Sequence, residues 1–592
     1  MADSHELRSS SFSSNTSLPS GEVDHVELLS SQLGALLHSS EFTDVTFIVE
    51  DKKFPAHRVF LASRCEYFRA LLFGGMRESK PEAEIVLKET SAPAFGTLLK
   101  YLYTGRIFLR DLNEEHVLDL LGLAHKYGFL ALESATSGYL KGNLDVNNIC
   151  RIVDIACLYQ LDEVLETCLN FADRHAVEML QNTADFASLS EVGLVSITKR
   201  DSFCAPEVEI FRAIQCWIEE NPEVVNREVL SNVRLPLIGL HDLFHTVRPS
   251  KLFSADAILD AIKLKTESRL MEMNFRGHLD MDENVALPHL GAEVIEGEFP
   301  DALLDSDITS FDMDKGFTLH YLEEGRSIVV RLGRPSLINT IKMLLWDRDM
   351  RSYSYYIEIS MDNQDWIRII DYSQYLCHSW QTLHFEPRVV RYVRLVGTHN
   401  TVNRIFHVVH FECMFSSKQH KIGENNVLIA KENVASIEAS ATVIEGVSRS
   451  RNVLLNNDTK NYDWDSGYTC HQLGSGAIVV QLAQPYIIDS LRLLLWDCDE
   501  RTYSYYIEVS NDRQNWQVVS DHRNDACRSW QTATFPAQIV TFVRIIGTRN
   551  SVNEVFHCVH FECPISSSTV TTQSQNSSVE NYNNNEVSVE SS

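Results

Sequence analysis

The sequence predicts four folded domains in series: a mixed α/β domain, an all-helical domain and two all-β sandwiches. Three observations predict this. The chain has 592 residues, which at about 100–200 residues per domain makes roughly four. Its apolar residues recur first at mixed spacings, then at helical spacing, then in strand-like alternation. Its C-terminal half carries an internal repeat, with LLWDRDMRSYSYYIEISMDNQDW beginning at Leu344 and LLWDCDERTYSYYIEVSNDRQNW at Leu494.

Residues 1–21 are Ser-rich, and residues 564–592 hold almost nothing that could be buried, so both ends are expected to be disordered tails. Over 22–140, Val26, Leu29, Leu33 and Leu36 recur every three to four residues and predict a helix over 24–38. Val45, Phe47 and Val49 alternate as in a half-buried strand, and Asp51-Lys52-Lys53 makes a plausible turn before Phe54. HRVFLASRCEYFRALLFG predicts one helix ending near Gly74-Gly75. EIVL (84–87) predicts a short strand, and Phe95, Leu98, Leu99 and Leu102 a helix that stops at Gly105. Over 141–265 the pattern is helical throughout. Leu158, Leu161, Val164, Leu165 and Cys168 form one apolar stripe, and Ile210, Phe211, Ile214, Trp217 and Ile218 another, between Pro206 and Pro222.

Residues 266–282 and 414–431 are expected to be linkers, setting off the repeats at 283–413 and 432–563. The offset of 150 holds without a gap from Leu344/Leu494 to Cys413/Cys563, with more than half the positions identical. Upstream, GAEVIEG (291–297) echoes SATVIEG (440–446), and ENVA occurs at 283 and at 432. The alternating YSYYIEIS and the β-branched YVRLVG, bounded by Gly, Asn and Asp, predict all-β sandwiches.

Composition narrows the function. Hydrophobic residues make up 44% and charged residues 22%, which is enough to build packed cores. With 52 Lys plus Arg against 81 Asp plus Glu, the net charge is -29. A nucleic-acid partner is not expected, because phosphate contacts need clustered cations. There is no apolar run of about 18 residues, so no membrane span is expected. The N-terminus lacks the apolar centre of a secretory signal. The 13 cysteines include no CxxC pair, so free thiols and a cytoplasmic location are expected.

Three clusters could carry chemistry. His407-x-x-His410-x-x-Cys413 and its copy His557, His560 and Cys563 look like metal ligands, but residues three apart on a strand point to opposite faces unless a bulge intervenes. Asp347 and Asp349 could serve acid/base work, although turn aspartates usually bond local backbone. Tyr353, Tyr355 and Tyr356 could line a groove or pack a core, with Tyr353 and Tyr355 on one face. No GxSxG, P-loop, HExxH or GxGxxG motif occurs. No catalytic site, cofactor or metal is therefore expected.

Family resemblances sharpen this. FTDVTFIVEDKKFPAHRVFLASRCEYFRALL and YLYTG (101–105), with Asp44, His57, Ser63 and Phe68 at signature spacings, resemble a BTB/POZ domain. ACLYQLDEVLETCLNFA (156–172), LSEVGLVSITKRD (189–201), EIFRAIQCWIEENPE (209–223) and VRLPLI (233–238) resemble the BACK domain that commonly follows it. Tyr-Ile-Glu-x-Ser-x-Asp-x-x-x-Trp at 356–366 and 506–516 is similar to the central motif of discoidin (coagulation factor V/VIII type C) domains. The implied fold is an α/β BTB/POZ domain, an all-α BACK domain and two all-β discoidin-like jelly-roll sandwiches. Secreted discoidin domains usually join their ends by a disulfide. Cys413 and Cys563 stand at the C-terminal position, but no Cys occurs over 283–376 or 432–469, so the staple is absent.

The resemblance also implies partners. In cullin-binding BTB proteins an apolar residue, any residue and a Glu occupy the loop after the helix that ends here near Phe73. Met76 and Glu78 are therefore expected to contact cullin-3, Met as an adaptable anchor and Glu as a directional acceptor. The stripe Leu29, Leu33 and Leu36 is expected to form a symmetric homodimer. Discoidin domains bind through loops at one end, here 306–316 and 457–467. These are acidic, with Phe311 and Trp464 as apolar tips, which favours an unidentified protein ligand over an anionic membrane. The resemblance implies an intracellular adaptor, a substrate receptor of a cullin-3 RING ubiquitin ligase. The alternative is a non-ligase dimeric scaffold or membrane-peripheral module that tethers protein, glycan or lipid.

Overall fold

A computed structural model describes residues 25–37, 39, 41–75, 79–80, 84–222, 227–267 and 273–565. The chain divides into two units, Met1–Phe171 and Ala172–Ser592.

The first unit opens with α1 (Val26–Leu36), followed by β1 (Val45–Val49) and β2 (Lys52–Ala56). Then come α2 (Arg58–Arg64), α3 (Glu66–Phe73), β3 (Glu84–Val86) and α4 (Ala92–Thr104). It continues through α5 (Glu114–Tyr127), α6 (Leu130–Lys141) and α7 (Ile149–Leu158) into α8 (Asp162–Arg174). The sheet order is β2-β1-β3, with β1/β2 antiparallel and β1/β3 parallel. Val45, Phe47 and Val49 are buried against α3 and α4 residues such as Phe68 and Phe95.

Two local expectations are corrected. The turn falls on Glu50 and Asp51, both with positive φ (48° and 62°), and Val49 pairs with Lys52. A two-residue hairpin loop of this hand matches the strand twist, so the strand absorbs Lys52 and Lys53. The single helix expected after His57 is two helices, because Cys65 is extended (φ -146°, ψ 122°). Its buried thiol points to the Tyr127 carbonyl at 3.4 Å, a contact that local periodicity does not encode. Gly105 and Gly128 end α4 and α5 in the left-handed region.

His57 organises this domain. Its Nδ1 lies 2.7 Å from Tyr103 Oη and its Nε2 2.9 Å from the Glu41 carbonyl. Asp44 Oδ1 accepts the Arg58 N–H at 2.7 Å and so fixes the start of α2.

The second unit begins with helices: α9 (Ala176–Gln181), α10 (Thr183–Ala187), α11 (Glu191–Thr198) and α12 (Glu207–Glu220). They are followed by α13 (Arg227–Ser231), α14 (Leu240–Asp242), α15 (Arg248–Ser250) and α16 (Ala255–Glu267). The predicted stripe Ile210, Phe211, Ile214 and Trp217 is buried, and Trp217 Nε1 donates to the Leu189 carbonyl at 2.7 Å.

The first sandwich is built from β4 (Glu293–Glu296), β5 (Thr318–Tyr321), β6 (Ile328–Leu345) and β7 (Tyr353–Ser360). β8 (Ile367–Cys377), β9 (Trp380–Asn400) and β10 (Ile405–Met414) complete it. After β11 (Leu428–Ile429) comes the second, with β12 (Thr442–Glu445), β13 (Thr469–Gln472), β14 (Ile478–Leu495) and β15 (Tyr503–Ser510). β16 (Gln517–Cys527), β17 (Trp530–Asn550) and β18 (Val555–Glu562) close the fold. The orders β5-β10-β6-β9-β7-β8 and β13-β18-β14-β17-β15-β16 are the same topology twice. The long pairs β6/β9 and β14/β17 bend at register shifts, at Arg331/Ser336 and at Gln481/Tyr486. Such bulges let one ladder turn the corner between the two layers. Where the layers close, Gly397 and Gly547 let the backbone meet Phe406 and Phe556. A Cβ at either position would lie 2.3–2.4 Å from the ring.

Residues 268–272 of the first expected linker lie outside the described residues; the described parts of both linkers are largely built into the fold. Met281 pairs with Phe415 and His278 with Ser336. Val427 is buried in the first sandwich's core, while Leu428 packs on the second. The sandwiches also bond directly. His378 N–H and Gln381 Nε2 both donate to the Ala483 carbonyl at 2.8 Å. Gln484 accepts from Thr382 N–H at 2.7 Å and donates to its carbonyl at 2.9 Å. Leu376 packs beside Ala477, Val479 and Phe542.

Candidate interaction surfaces

Met76 and Glu78 lie outside the described residues. Their flanks are held by Arg58, a residue the sequence reading passed over. Its buried guanidinium donates to the Leu72 carbonyl before the stretch, and to the Ser79 and Lys80 carbonyls after it at 2.8 Å each. Ser79 Oγ accepts from Gly75 N–H at 3.0 Å and donates to the Leu71 carbonyl at 3.2 Å. Phe73 stays exposed, with the Arg58 guanidinium 5.0 Å from its ring. A cation directly after a buried histidine was the available signal.

The three α1 leucines differ in role. Leu29 is exposed, as are Val26 and Leu28. Leu33 is half-buried, and Leu36 packs against the core of its own domain. α1 is anchored by Ser30 Oγ, which donates to the Thr104 carbonyl at 2.6 Å.

At the loop ends of the sandwiches, aspartates organise the backbone. Asp307 accepts the N–H groups of Thr309 and Ser310 at 2.9 Å, which holds its carboxyl far below the usual range. Asp463 accepts from Asp465 and Ser466 at 2.8 Å and is lowered in the same way. Trp346 Nε1 donates to the Asp312 carbonyl at 2.8 Å, and Trp496 Nε1 to that of Asp463 at 2.9 Å. The expected tip Phe311 is instead buried beneath Arg348, whose guanidinium is 4.0 Å from the ring. The exposed tips are Met313 and Trp464 (68% and 65% exposed). Trp464 is braced by the Trp496 ring at 4.7 Å. In the first loop the turns on Asp307 and Asp312 bring Phe311 inward and leave Met313 outside.

The other clusters are engaged internally. Asp349 accepts from the Arg351 N–H and guanidinium at 2.7–2.9 Å, and that cation lowers its carboxyl. Asp347 accepts from Ser379 Oγ. Tyr353 and Tyr355 are buried in the core, while Tyr356 lies under Arg368 at 3.5 Å. For the histidines, a register shift between Val408 and His410 overturns the opposite-face expectation. Phe406 and Val408 face the core before it and Phe411 and Cys413 after it, so the core-facing parity switches. His407 and His410 thus share a side but take different partners. His407 Nδ1 is 3.2 Å from Tyr353 Oη, and His410 Nε2 is 3.0 Å from Glu412 Oε1. Among the described residues no group of three His, Cys, Asp or Glu is placed to hold a metal ion. No described helix is long and apolar enough to cross a membrane.

Family models match in the same order: BTB/POZ domain over residues 33–144, BTB And C-terminal Kelch over 149–248, and F5/8 type C domain over 296–411 and 436–561. The human BTB/POZ domain-containing protein 9 is 58% identical over 546 residues, covering 92% of this chain and 89% of that protein. The Drosophila melanogaster protein of that name is 51% identical over 544 residues, covering 92% of this chain and 74% of that protein. Human Kelch-like protein 6 is 29% identical over 229 residues, covering 38% of this chain and 36% of that protein. With the same domains in the same order and this identity over nine-tenths of its length, the chain belongs to the BTB/POZ domain-containing protein 9 family.

Proposed function

We propose that the protein is a protein-interaction adaptor, the substrate receptor of a cullin-3 RING ubiquitin ligase. The BTB and BACK domains would bind cullin-3, and the discoidin-like pair would bind the substrate. The observation that carries this is the Arg58 anchor. One buried guanidinium ties Leu72 to Ser79 and Lys80, which flank the segment expected to contact cullin-3. Fixing the flanks lowers the ordering cost of a contact made between them. The likeness to Kelch-like proteins over the same two domains supports the reading. All the domains are of interaction-module type, so the ubiquitin chemistry falls to partners.

The test is calorimetric titration of the full chain with the cullin-3 N-terminal region. Met76→Ala with Glu78→Ala is expected to cost about 2 kcal/mol, roughly 30-fold in affinity. No binding by folded wild type would sink the reading. Homodimerisation through α1 belongs to the same proposal, because it would present two receptor arms. Leu29→Asp is expected to shift sedimentation from dimer to monomer.

A tethering role at a membrane has one observation in its favour, the exposed Met313 and Trp464. The aspartates around them oppose anionic lipid. Co-sedimentation with phosphatidylserine vesicles, if strong and salt-sensitive, would favour it.

A further inference from the structure

We infer that residues 273–282 are a rigid coupler, with Arg276 as its keystone, locking the helical part of the second unit to its first sandwich. The Arg276 side chain is 2% exposed and Glu207 beside it 3%. Every N–H direction of the guanidinium is used. Nε donates to Glu207 Oε2 at 2.8 Å, and Nη1 to the Thr198 and Arg200 carbonyls at 2.8 and 2.7 Å. Nη2 donates to Glu207 Oε1 at 3.3 Å and to the Asn232 carbonyl at 3.0 Å. Thr198 ends α11, Glu207 begins α12 and Asn232 follows α13, so one side chain ties three helix ends. A buried, fully bonded ion pair is directional, and removing one partner strands the other.

Arg234 holds the coupler from the other side, donating to the Asn274 and Phe275 carbonyls at 3.1 and 2.9 Å and to Asp201 at 2.6 Å. The transition to the sandwich is then immediate. Gly277 N–H donates to the Asp201 carbonyl at 2.9 Å, and the next residue, His278, donates to the Pro335 carbonyl at 2.9 Å. Leu337 N–H returns to the His278 carbonyl at 2.8 Å. No residue lies between the last helical anchor and the first strand anchor. Leu279 packs on Leu337 and Val389, and Asp280 pairs with Arg334 at 2.8 Å. Gly277 is required by space, since a Cβ there would sit 2.6 Å from Val389 Cγ1. The device goes beyond the adaptor reading. Whatever the sandwiches bind is presented at one orientation to the helices of the same unit.

Hydrogen exchange read by mass spectrometry on the full-length protein tests this. In wild type, peptides spanning 273–282 should be protected as strongly as those of β7. Arg276→Ala and Gly277→Ala should each lower that protection by about tenfold or more while β7 keeps its own. Val389→Ala should restore the Gly277→Ala protein by making room for the methyl group, a rescue that general damage would not give. If Arg276→Ala does not fold, the Gly277/Val389 pair decides alone. Exchange of 273–282 at the rate of an unstructured peptide in wild type, or protection unchanged by Gly277→Ala, would overturn the inference.

Discussion

The two sandwiches share one topology and most of a core, yet they differ on one side, chiefly along one strand. β8 in the first copy carries Ile370, Tyr372 and Tyr375, all buried. β16 in the second has Ser520, His522 and Asp525 at those places, with His522 half-exposed and Asp525 exposed. Leu376 and Leu383 likewise become Ala526 and Ala533. The second sandwich covers this side of the first, and Ile487 and Ile539 pack on the first core. Among the described residues nothing covers the same side of the second. The difference teaches that a position in a duplicated fold is core or surface according to its neighbour, and the sequence has followed. The open edge now carries Asp521, Arg523 and Asp525, charges that discourage another strand from pairing there.

The comparison can be broken at its centre. Tyr372→Ala should destabilise the sandwiches by about 3–5 kcal/mol, as large-to-small changes in cores do. His522→Ala at the matching place should cost below about 1 kcal/mol. Denaturant unfolding of the full chain measures both, and equal losses would remove the asymmetry.

The joint between the copies comes next. Gln484→Leu leaves the Thr382 N–H and carbonyl unpaired, and a loss of about 1–3 kcal/mol is expected. Arg334→Leu, at the equivalent residue of the first copy, removes an ion pair with half-exposed Arg334 and should cost about 1 kcal/mol or less.

Acid should strike both copies alike. Burial, and then the neighbouring Arg351 or Arg501, pushes His407 and His557 down from the ordinary 6.5 to about 4. The unfolded chain takes up these protons near 6.5, whereas the folded chain takes them up only near 4. Stability is therefore full above about 6.5 and is lost as the pH falls toward 4. The thermal midpoint should drop across that window, and His407→Gln with His557→Gln should flatten the drop.

The smallest effect is expected at the loop tips. Trp464→Ala and Met313→Ala should each change stability by less than about 0.5 kcal/mol, because both side chains stand in water. A larger change at Trp464 would mean that its packing against Trp496 closes the core.

Domain order, the duplication and most core-facing residues were legible in the sequence, although Leu158, read into a buried stripe, is exposed. Burial imposes periods that survive in the residues, such as Val45/Phe47/Val49 or Ile210/Phe211/Ile214/Trp217. The candidate surfaces were legible only in part. Leu29 and Trp464 are exposed as read, but Phe311 is buried beneath Arg348, and Leu36 packs on its own domain. Pattern says which residues are apolar, not which of two neighbours a loop turns inward.

By itself, then, the sequence determined the architecture, because helix and strand periods, caps and repeats are local and additive. The tertiary structure alone decided that α2 and α3 are separate helices, that a bulge brings His407 and His410 to one side, and that the 273–282 segment is an anchored strap. Each depends on groups far apart in the chain, Cys65 with Tyr127, Val408 with Leu345, Arg276 with Glu207. A hydrogen bond or ion pair of that kind leaves no period in the sequence, since its strength is set only once folding has removed water from both partners.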